Sequence, residues 1–396
     1  MHLSFRIGFL KISTHNLLMG VFSIFFIMKM IRAFAQTSVA GGLWNYIQIF
    51  FSAIGVVLMT LYFNKLIRSI PVLMMFIYGT VALVTSLVSV QISRNALFDY
   101  LMTPYALFIL VIACCDAAAN DIEKNLILTV TYYIIAALFI MNFISAGTYD
   151  TMTGATADVY YVLGLMPVVT IRTKRFRFIP MIVCGLAVLI SGKRTGIFAF
   201  ILVVIVYYLY YAILNRRYLK VFYYILGFVI IITAFLLLFS LINDSFNDRL
   251  LLRLQRFWES GDSSGRNRLW QASAAAMGSS SFWKWLVGHG NLATVALLGN
   301  HAHNDFLEVL YDYGIVPLLA YSGFYVSCVI ELVRMIRAKY EYAVFFAMSL
   351  VIAFSLAMFS FYVIDPTYIT AGMIAIGYFL TDFQKKNGSV RPTVHL

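Results

Sequence analysis

Apolar runs long enough to cross a lipid bilayer recur along the whole chain. Crossing about 30 Å of hydrocarbon takes roughly 20 apolar residues, and no water is present there to bond an exposed backbone group. Each run must therefore satisfy its backbone groups within its own helix. The sequence predicts an all-α, polytopic integral membrane protein with about twelve transmembrane helices. The predicted spans are residues 16–31, 44–63, 70–90, 98–115, 126–145, 157–171, 178–192, 195–214, 221–242, 315–333, 341–363 and 366–382.

The composition indicates the same class of protein. Hydrophobic residues make up 62% of the 396 residues and charged residues only 12%, which is far from the mix of a soluble domain. The formal net charge is +12, but the cations are spread over short connections and are not gathered on one soluble face, as nucleic-acid binding requires. We therefore expect membrane lipids, and no nucleic acid, as partners.

The distribution of lysine and arginine predicts how the chain is oriented. Short connections on one side of the predicted membrane carry most of these cations, whereas residues 146–156 and 365–367 carry none. The positive-inside rule then places both termini in the cytoplasm and residues 243–314 on the opposite side. We interpret residues 1–396 as one integral membrane domain with an extracytoplasmic insert at 243–314 that contains short helices.

The insert holds the residues best suited to chemistry. Three of the six histidines, His289, His301 and His303, lie in it together with Arg266 and Arg268. Imidazole changes its charge near neutral pH, and fixed guanidinium groups bind anions. This combination at a bilayer surface predicts chemistry on an anionic, lipid-linked substrate.

His303 is the best-placed base among these histidines. Asn304 and Asp305 supply the start of a helix that runs to Gly314, so His303 would lie at the positive end of the helix dipole. That position favours a neutral imidazole, which can accept a proton. We expect His303 to be a catalytic general base, and a histidine that only caps or packs is the alternative on sequence alone.

Two acidic residues follow on the same predicted helix. Glu308 and Asp312 are four residues apart and repel each other unless one is paired, so one of them is expected to orient an imidazole or an arginine, and Asp312 is expected on a solvated face. His289, His301 and His303 form an alternative zinc site, but the sequence offers no pattern of residues to support such ligands. We therefore expect no metal and no other cofactor, with Asn304, Glu308, His301 and Gly314 as supporting residues.

A second basic element lies between two apolar runs, at residues 191–196. Lys193 and Arg194 occur there on the predicted outer side, where short connections otherwise avoid positive charge. Cations in this position call for an anionic partner, either a lipid head group or a substrate pyrophosphate. Arg266 and Arg268 are likewise suited to grip a phosphate group in bidentate fashion, and ordinary loop cations are the alternative.

Taken together, these motifs resemble the O-antigen polymerase and O-antigen ligase superfamily of bacterial polysaccharide assembly. The resemblance covers about fifty residues of the insert, together with the arginine-bearing turn at 191–196. The residues that carry it are Gly265-Arg266 with Leu269-Trp270, then Gly288 and Gly290, and His303-Asn304-Asp305-Phe306-Leu307-Glu308 running to Gly314.

The resemblance implies an activity and a location. Members of this superfamily act on sugars carried by undecaprenyl pyrophosphate at the outer face of the bacterial inner membrane, without metal and without nucleotide sugars. It implies that His303 activates an acceptor hydroxyl while Arg266 and Arg194 hold the donor pyrophosphate. It also implies a multi-pass inner-membrane protein whose site faces the periplasm, and a chain-length regulator and a flippase as candidate partners.

Two acceptors are consistent with the resemblance. A polymerase transfers the growing chain onto a lipid-linked repeat unit, whereas a ligase transfers it to a sugar of the lipid A core, and we favour the polymerase. A flippase or other transporter of lipid-linked sugars is the alternative from another class. Transporters place ionisable groups near the middle of the bilayer, whereas here the polar residues gather in the insert.

Overall fold

The fold was obtained as a computed structural model of the chain. It describes residues 4–7, 10–35, 39–88, 102–121, 126–145, 155–172, 177–215, 266–360, 363 and 366–387, and the isolated residues 223, 226, 227, 230 and 233. Most of the predicted span at 221–242, and the first part of the predicted insert at 243–265, lie outside the described residues.

Every predicted span within the described residues is helical. Before the insert the helices are α1 Thr14–Ala35, α2 Val39–Leu66, α3 Ile70–Val88, α4 Tyr105–Ala119, α5 Leu126–Ser145, α6 Val159–Arg172, α7 Phe178–Ser191 and α8 Arg194–Asn215. A 3-10 turn, Ala155–Asp158, precedes α6. The insert contributes α9 Arg266–Gly278, α10 Phe282–Val287, α11 Ala293–Leu298 and α12 Asp305–Tyr313. The last helices are α13 Ile315–Arg337, α14 Ala343–Phe359 and α15 Pro366–Lys386.

A short β-hairpin before α1 departs from the all-α prediction. Strands β1, Ser4–Ile7, and β2, Leu10–Ser13, pair antiparallel with Ser4 opposite Ser13. The sequence alternates apolar and basic residues here, which is the period of a strand and not of a helix. The hairpin lies outside the apolar runs, so the helical prediction for the spans is unaffected.

Four of the described helices are long and apolar enough to cross a membrane, namely α2 from Asn45 onwards, α3, α8 as far as Ile213, and α13. Six shorter apolar helices accompany them. The peripheral helices also expose many large apolar side chains, for example Leu319 at 64% on α13. Contiguous apolar surfaces of this kind are suited to lipid and not to water. The protein is thus a helical protein with several membrane-type helices, and the count of twelve spans stays a prediction.

The most buried helices form the centre of the protein. Helices α4 and α15 pack closely along their length, and nearly all of their described side chains are buried. Gly377 of α15 makes this approach possible, because a Cβ atom there would lie 2.8 Å from the Ala113 Cβ and 3.1 Å from the Leu110 carbonyl oxygen. In lipid there is no strong hydrophobic force between helices. Much of the association energy therefore comes from close packing, which small residues permit.

The four insert helices pack together beside the start of α13. Helix α12 contacts α9, α10 and α11, and it also lies against α3, α13 and α14. The insert thereby packs against the membrane helices through α12, which lies along the first turns of α13 and reaches Tyr78 in the middle of α3. This arrangement brings residues from the insert and from the α7–α8 turn to one place.

We predict that Gly377→Ala destabilises the protein, because the added methyl group would overlap the Ala113 Cβ and crowd the backbone of α4. Overpacking of this kind costs about 1–3 kcal/mol. The measurement is the thermal unfolding temperature in detergent. Gly20→Ala is the matched control, since a Cβ at Gly20 of α1 meets nothing within 4 Å. Equal unfolding temperatures for the two variants would contradict the close α4–α15 packing.

Candidate active site

His303 lies in the loop that leads into α12, and its backbone is held from both sides. Asn304 caps α12, with its Oδ1 accepting the Leu307 N–H at 3.1 Å. On the other side, the Ala302 carbonyl accepts the Trp270 Nε1–H at 2.8 Å. Between them His303 has a φ of +56°, a left-handed conformation that non-glycine residues adopt rarely and at a cost. The loop is therefore fixed relative to α9 and α12.

Arg266 is the first residue of α9 and joins the insert to two membrane helices. Its Nη1 donates to the Thr195 hydroxyl at 3.3 Å, and that hydroxyl donates to the Phe359 carbonyl at 2.9 Å. Thr195 lies in the first turn of α8, and Phe359 ends α14. Burial lowers the pKa of the Arg266 guanidinium; Tyr160 opposes this, and the charge of Arg194 lowers the pKa further. Arginine nevertheless stays charged at physiological pH.

The turn between α7 and α8 is built by local hydrogen bonds. Gly192 ends α7 with a φ of +58°. The Ser191 hydroxyl donates to the Val188 carbonyl at 2.6 Å and accepts the Lys193 N–H at 3.1 Å. This closed turn directs the chain straight into α8, which begins at Arg194.

Three of the four predicted cations gather around His303. The charges of Arg266 and Lys193 both act on the His303 ring, and that of Arg194 acts on Arg266. Arg268 is different: it lies two residues further along α9, on the other side of the helix, and is exposed. The described part of the chain offers Arg268 no hydrogen bond or ion pair. The structure thus assembles Lys193, Arg194 and Arg266 and leaves Arg268 outside the group.

The surroundings of His303 keep its imidazole neutral. Burial lowers the pKa of His303 to about 4, and the positive charges of Arg266, His301 and Lys193 contribute to the lowering. From the sequence, the helix dipole alone predicts the neutral form. In the folded protein, burial and the neighbouring cations, which come from separate parts of the chain, are the main causes.

Glu308 orients the second histidine of the motif. The His301 Nδ1 lies 3.1 Å from Glu308 Oε2, and Glu308 is fully buried. This contact fixes the orientation of the His301 ring. Of the two acidic residues considered in the sequence, Glu308 is the one that holds an imidazole.

Asp312 does not lie on a solvated face, so that expectation was wrong. It is 1% exposed, and one of its oxygens accepts both the N–H and the hydroxyl of Thr294, each at 2.7 Å. Burial raises the pKa of Asp312 to about 7; the Thr294 hydrogen bonds oppose this rise and the Glu308 carboxylate adds to it. Asp312 ties α12 to α11.

Gly314 lets the end of α12 lie directly against α10. It has a φ of +88°, and a Cβ atom there would lie 2.3 Å from the Leu286 carbonyl oxygen. Beside this contact, the His289 N–H donates to the Tyr311 carbonyl at 3.0 Å. The supporting role expected of Gly314 thus has a steric basis, since only glycine fits there without moving the backbone.

The histidines do not converge on a metal site. His289 stacks on the Tyr311 ring at 4.2 Å, and its Nε2 lies 3.1 Å from the Ser280 hydroxyl oxygen, so it packs within the insert. Over the described ranges, no group of three or more His, Cys, Asp or Glu side chains is arranged to hold a metal ion.

Two residues that position the site were not recognised in the sequence. Buried Asp305 accepts the Tyr321 hydroxyl at 2.9 Å and the Val363 N–H at 2.8 Å, so it links α12 to α13 and to the segment before α15. Its place at the start of a helix signalled only a favourable dipole interaction. Thr195, the partner of Arg266, had no signal of its own, because the two residues are distant in sequence.

We predict that Asp312 makes stability depend on pH. Its pKa is about 7 in the folded state, against an ordinary value of 3.8 for an aspartate side chain, so the folded protein binds more protons between these values. The stabilisation from this group is complete below the lower pKa and is lost as the pH rises through the higher one. The unfolding temperature of Asp312→Asn should therefore rise relative to that of the intact protein as the pH increases from about 4 to about 7. Above about pH 7 the difference between the two proteins should stay constant. A difference that stays constant from about pH 4 to about pH 7 would contradict the raised pKa.

Similarity to a known protein family covers the part of the chain that contains this site. No curated protein matches the chain. Residues 179–322, however, match the family model described as O-antigen ligase. The matched range runs from α7 into α13 and includes Arg194, Arg266 and His303. The part of the chain that builds the site is therefore similar to the O-antigen ligase family, which is consistent with the O-antigen polymerase and ligase superfamily.

Proposed function

We propose that the protein is a membrane glycosyltransferase that transfers a glycan from undecaprenyl pyrophosphate to an acceptor hydroxyl. The observation that carries this proposal is a neutral histidine, His303, on which the charges of Arg266 and Lys193 act, while the charge of Arg194 acts on Arg266. A neutral base and an anion-binding group are needed at the same moment of such a reaction, one for the acceptor and one for the leaving group.

The cations fit the donor. A pyrophosphate carries several negative charges, and a guanidinium such as that of Arg266 can bind it in bidentate fashion. Charge also develops on the leaving pyrophosphate as its bond to the sugar breaks, so fixed cations stabilise the transition state and can take the place of a divalent metal. In this proposal Arg194 and Lys193 complete the binding of the pyrophosphate, and no cofactor takes part.

The neutral imidazole fits the acceptor. We assign His303 to take the proton from the acceptor hydroxyl as its oxygen bonds to the anomeric carbon and the bond to the pyrophosphate oxygen breaks. Attack from the side opposite the leaving group inverts the configuration at that carbon. Linkage analysis of donor and product tests this step, and retained configuration would rule it out.

In this proposal the supporting residues hold the His303 imidazole in position relative to the cations. Asn304 caps the helix that follows His303, and Gly314 lets that helix pack against α10. The Glu308 carboxylate holds His301 beside the catalytic histidine, where the charge of His301 contributes to the low pKa of His303. In this proposal none of the supporting residues contacts the reacting atoms.

The acceptor we favour is a second lipid-linked repeat unit, which makes the protein an O-antigen, capsular or exopolysaccharide polymerase. The alternative acceptor is a sugar of the lipid A core, which would make it an O-antigen ligase, and the matching family model is consistent with either acceptor. We further propose that the protein lies in the bacterial inner membrane with both termini in the cytoplasm and the site facing the periplasm. A chain-length regulator and a flippase are the proposed partners.

We predict that His303→Ala abolishes polymer formation in a deletion strain that produces the variant at the level of the intact protein. The measurement is the banding of surface polysaccharide on a gel. A polymerase loses its ladder and leaves core with a single repeat, whereas a ligase loses all capped bands while lipid-linked polymer accumulates. An unchanged ladder would contradict the catalytic role. Elongation of lipid-linked repeats by the purified protein in detergent would exclude transport as the sole activity.

We predict that Arg266→Ala lowers transfer by the purified protein about 100-fold or more, because a charge that stabilises the leaving group is lost. Arg268→Ala should change the rate by less than about threefold, since Arg268 is exposed and lies on the other side of α9. Arg337→Ala, at the far end of α13, is the control for a change in surface charge. Equal losses for Arg266 and Arg268 would contradict the proposed grouping of cations.

We predict that kcat/KM for transfer stays high as the pH is lowered through 6 and falls only near pH 4. The pKa of His303 is about 4, so its base form persists in the free protein well below the usual histidine range. Lys193→Gln removes one of the cations that lower this pKa and should move the acid limb to higher pH. An acid limb at the ordinary histidine pKa in both proteins would contradict the role of His303.

A further inference from the structure

Helix α10 presents an apolar surface that nothing in the described part of the chain covers. None of its six residues is buried, and Phe282 and Trp283 are 70% and 69% exposed. Val287, at the end of the helix, is 49% exposed. A cluster of large apolar side chains with this exposure is normally found at an interface, with protein or with lipid.

The opposite side of α10 is firmly attached to the body of the protein. The Leu286 carbonyl lies against Gly314, and the Gly288 N–H closes the helix on the Lys284 carbonyl at 2.9 Å. Helix α10 also packs against α12 and α13. Its position is therefore fixed relative to α13, the membrane-length helix that begins at Ile315.

The exposed surface of α10 lies beside lipid-type surface of α13. The first turns of α13 expose Val316 at 42% and Leu319 at 64%, and further exposed apolar residues follow along the helix. The basic residues of α13, Arg334 and Arg337, lie at its other end. The apolar side chains of α10 thus continue the membrane surface of α13 at the end where the insert is seated.

The sequence of α10 is typical of the bilayer interface. Tryptophan is enriched at the level of the lipid head groups, where its ring is partly apolar and its N–H remains hydrated. Lys284 lies between Trp283 and Trp285 and is exposed, so its charge can reach anionic head groups while its stem lies along apolar surface. A contact with a second copy of the chain would not require this mixture.

We propose that α10 is inserted into the leaflet on the side of the membrane where the insert lies, with Phe282, Trp283 and Val287 among the acyl chains and Lys284 at the head groups. Because the residues after α10 are hydrogen-bonded to the end of α12, the insertion holds the loop of His303 at the membrane surface. The insertion itself does not depend on the proposed function. The consequence for the His303 loop does rest on the proposed function, because the pyrophosphate of a lipid-linked donor lies at the membrane surface.

Tryptophan fluorescence tests the insertion directly. A chain with Trp283 as its single tryptophan, the other four being replaced by Phe, is reconstituted into liposomes of phosphatidylcholine and phosphatidylglycerol. Lipids brominated on their acyl chains should quench the emission about twofold or more, and aqueous acrylamide should quench it little. A chain with Trp270 as its single tryptophan is the control, because Trp270 donates to the Ala302 carbonyl inside the insert and should not respond to brominated lipid.

Two other outcomes would overturn the proposal. Quenching by acrylamide and not by brominated lipid would mean that α10 faces water. Protection from both quenchers would mean that a second copy or another protein covers it. If the chain with four tryptophans replaced does not fold, quenching by brominated lipid is compared between the intact chain and Trp283→Phe. The part of the emission that brominated lipid quenches should then be lost in Trp283→Phe.

Discussion

A single buried carboxylate joins the insert to the membrane helices. Asp305 accepts hydrogen bonds from the Tyr321 hydroxyl of α13 and from the Val363 backbone, and it lies at the positive end of α12. Removing a carboxylate from water is costly unless it is fully hydrogen-bonded, so this geometry is held tightly. The loop that contains His303 precedes Asp305 directly. Asp305 therefore helps to fix the position of the candidate base, together with the Asn304 cap and the Trp270 hydrogen bond to the Ala302 carbonyl.

The site combines a base with cations that make it a weak base. Arg266 and Lys193 disfavour the protonated form of His303, and they would also repel each other in the absence of an anion. A bound anion, such as the pyrophosphate of the proposed donor, would reverse both effects, because its charge would offset the cations and favour a proton on the imidazole. The arrangement is thus suited to a substrate that brings negative charge with it. The base would become effective when the donor is present, which would couple donor binding to activation of the acceptor.

The location of the site follows from the physics of the bilayer. Polar backbone and charged side chains are too costly within hydrocarbon, so loops such as those around His303 and Lys193 are confined to the ends of membrane helices. Helix α12, which follows the His303 loop, packs against α3, α13 and α14, and α10 packs against α12 and α13. A lipid-linked substrate could thus present its head group to the site while its tail stays in the membrane.

The sequence by itself determined the helical membrane class, because long apolar runs leave the backbone no alternative to a helix in lipid. It also located the short motif that contains His303, Asn304 and Glu308, since capping and helical spacing are local properties. Only the tertiary structure decided that Lys193 and Arg266 act on His303 while Arg268 does not, that Glu308 pairs with His301, and that Asp312 is buried on Thr294. It also revealed Thr195 as the partner of Arg266. The physical reason is that burial and electrostatic neighbourhood are set by segments distant in the chain, whereas a local pattern specifies only its own helix.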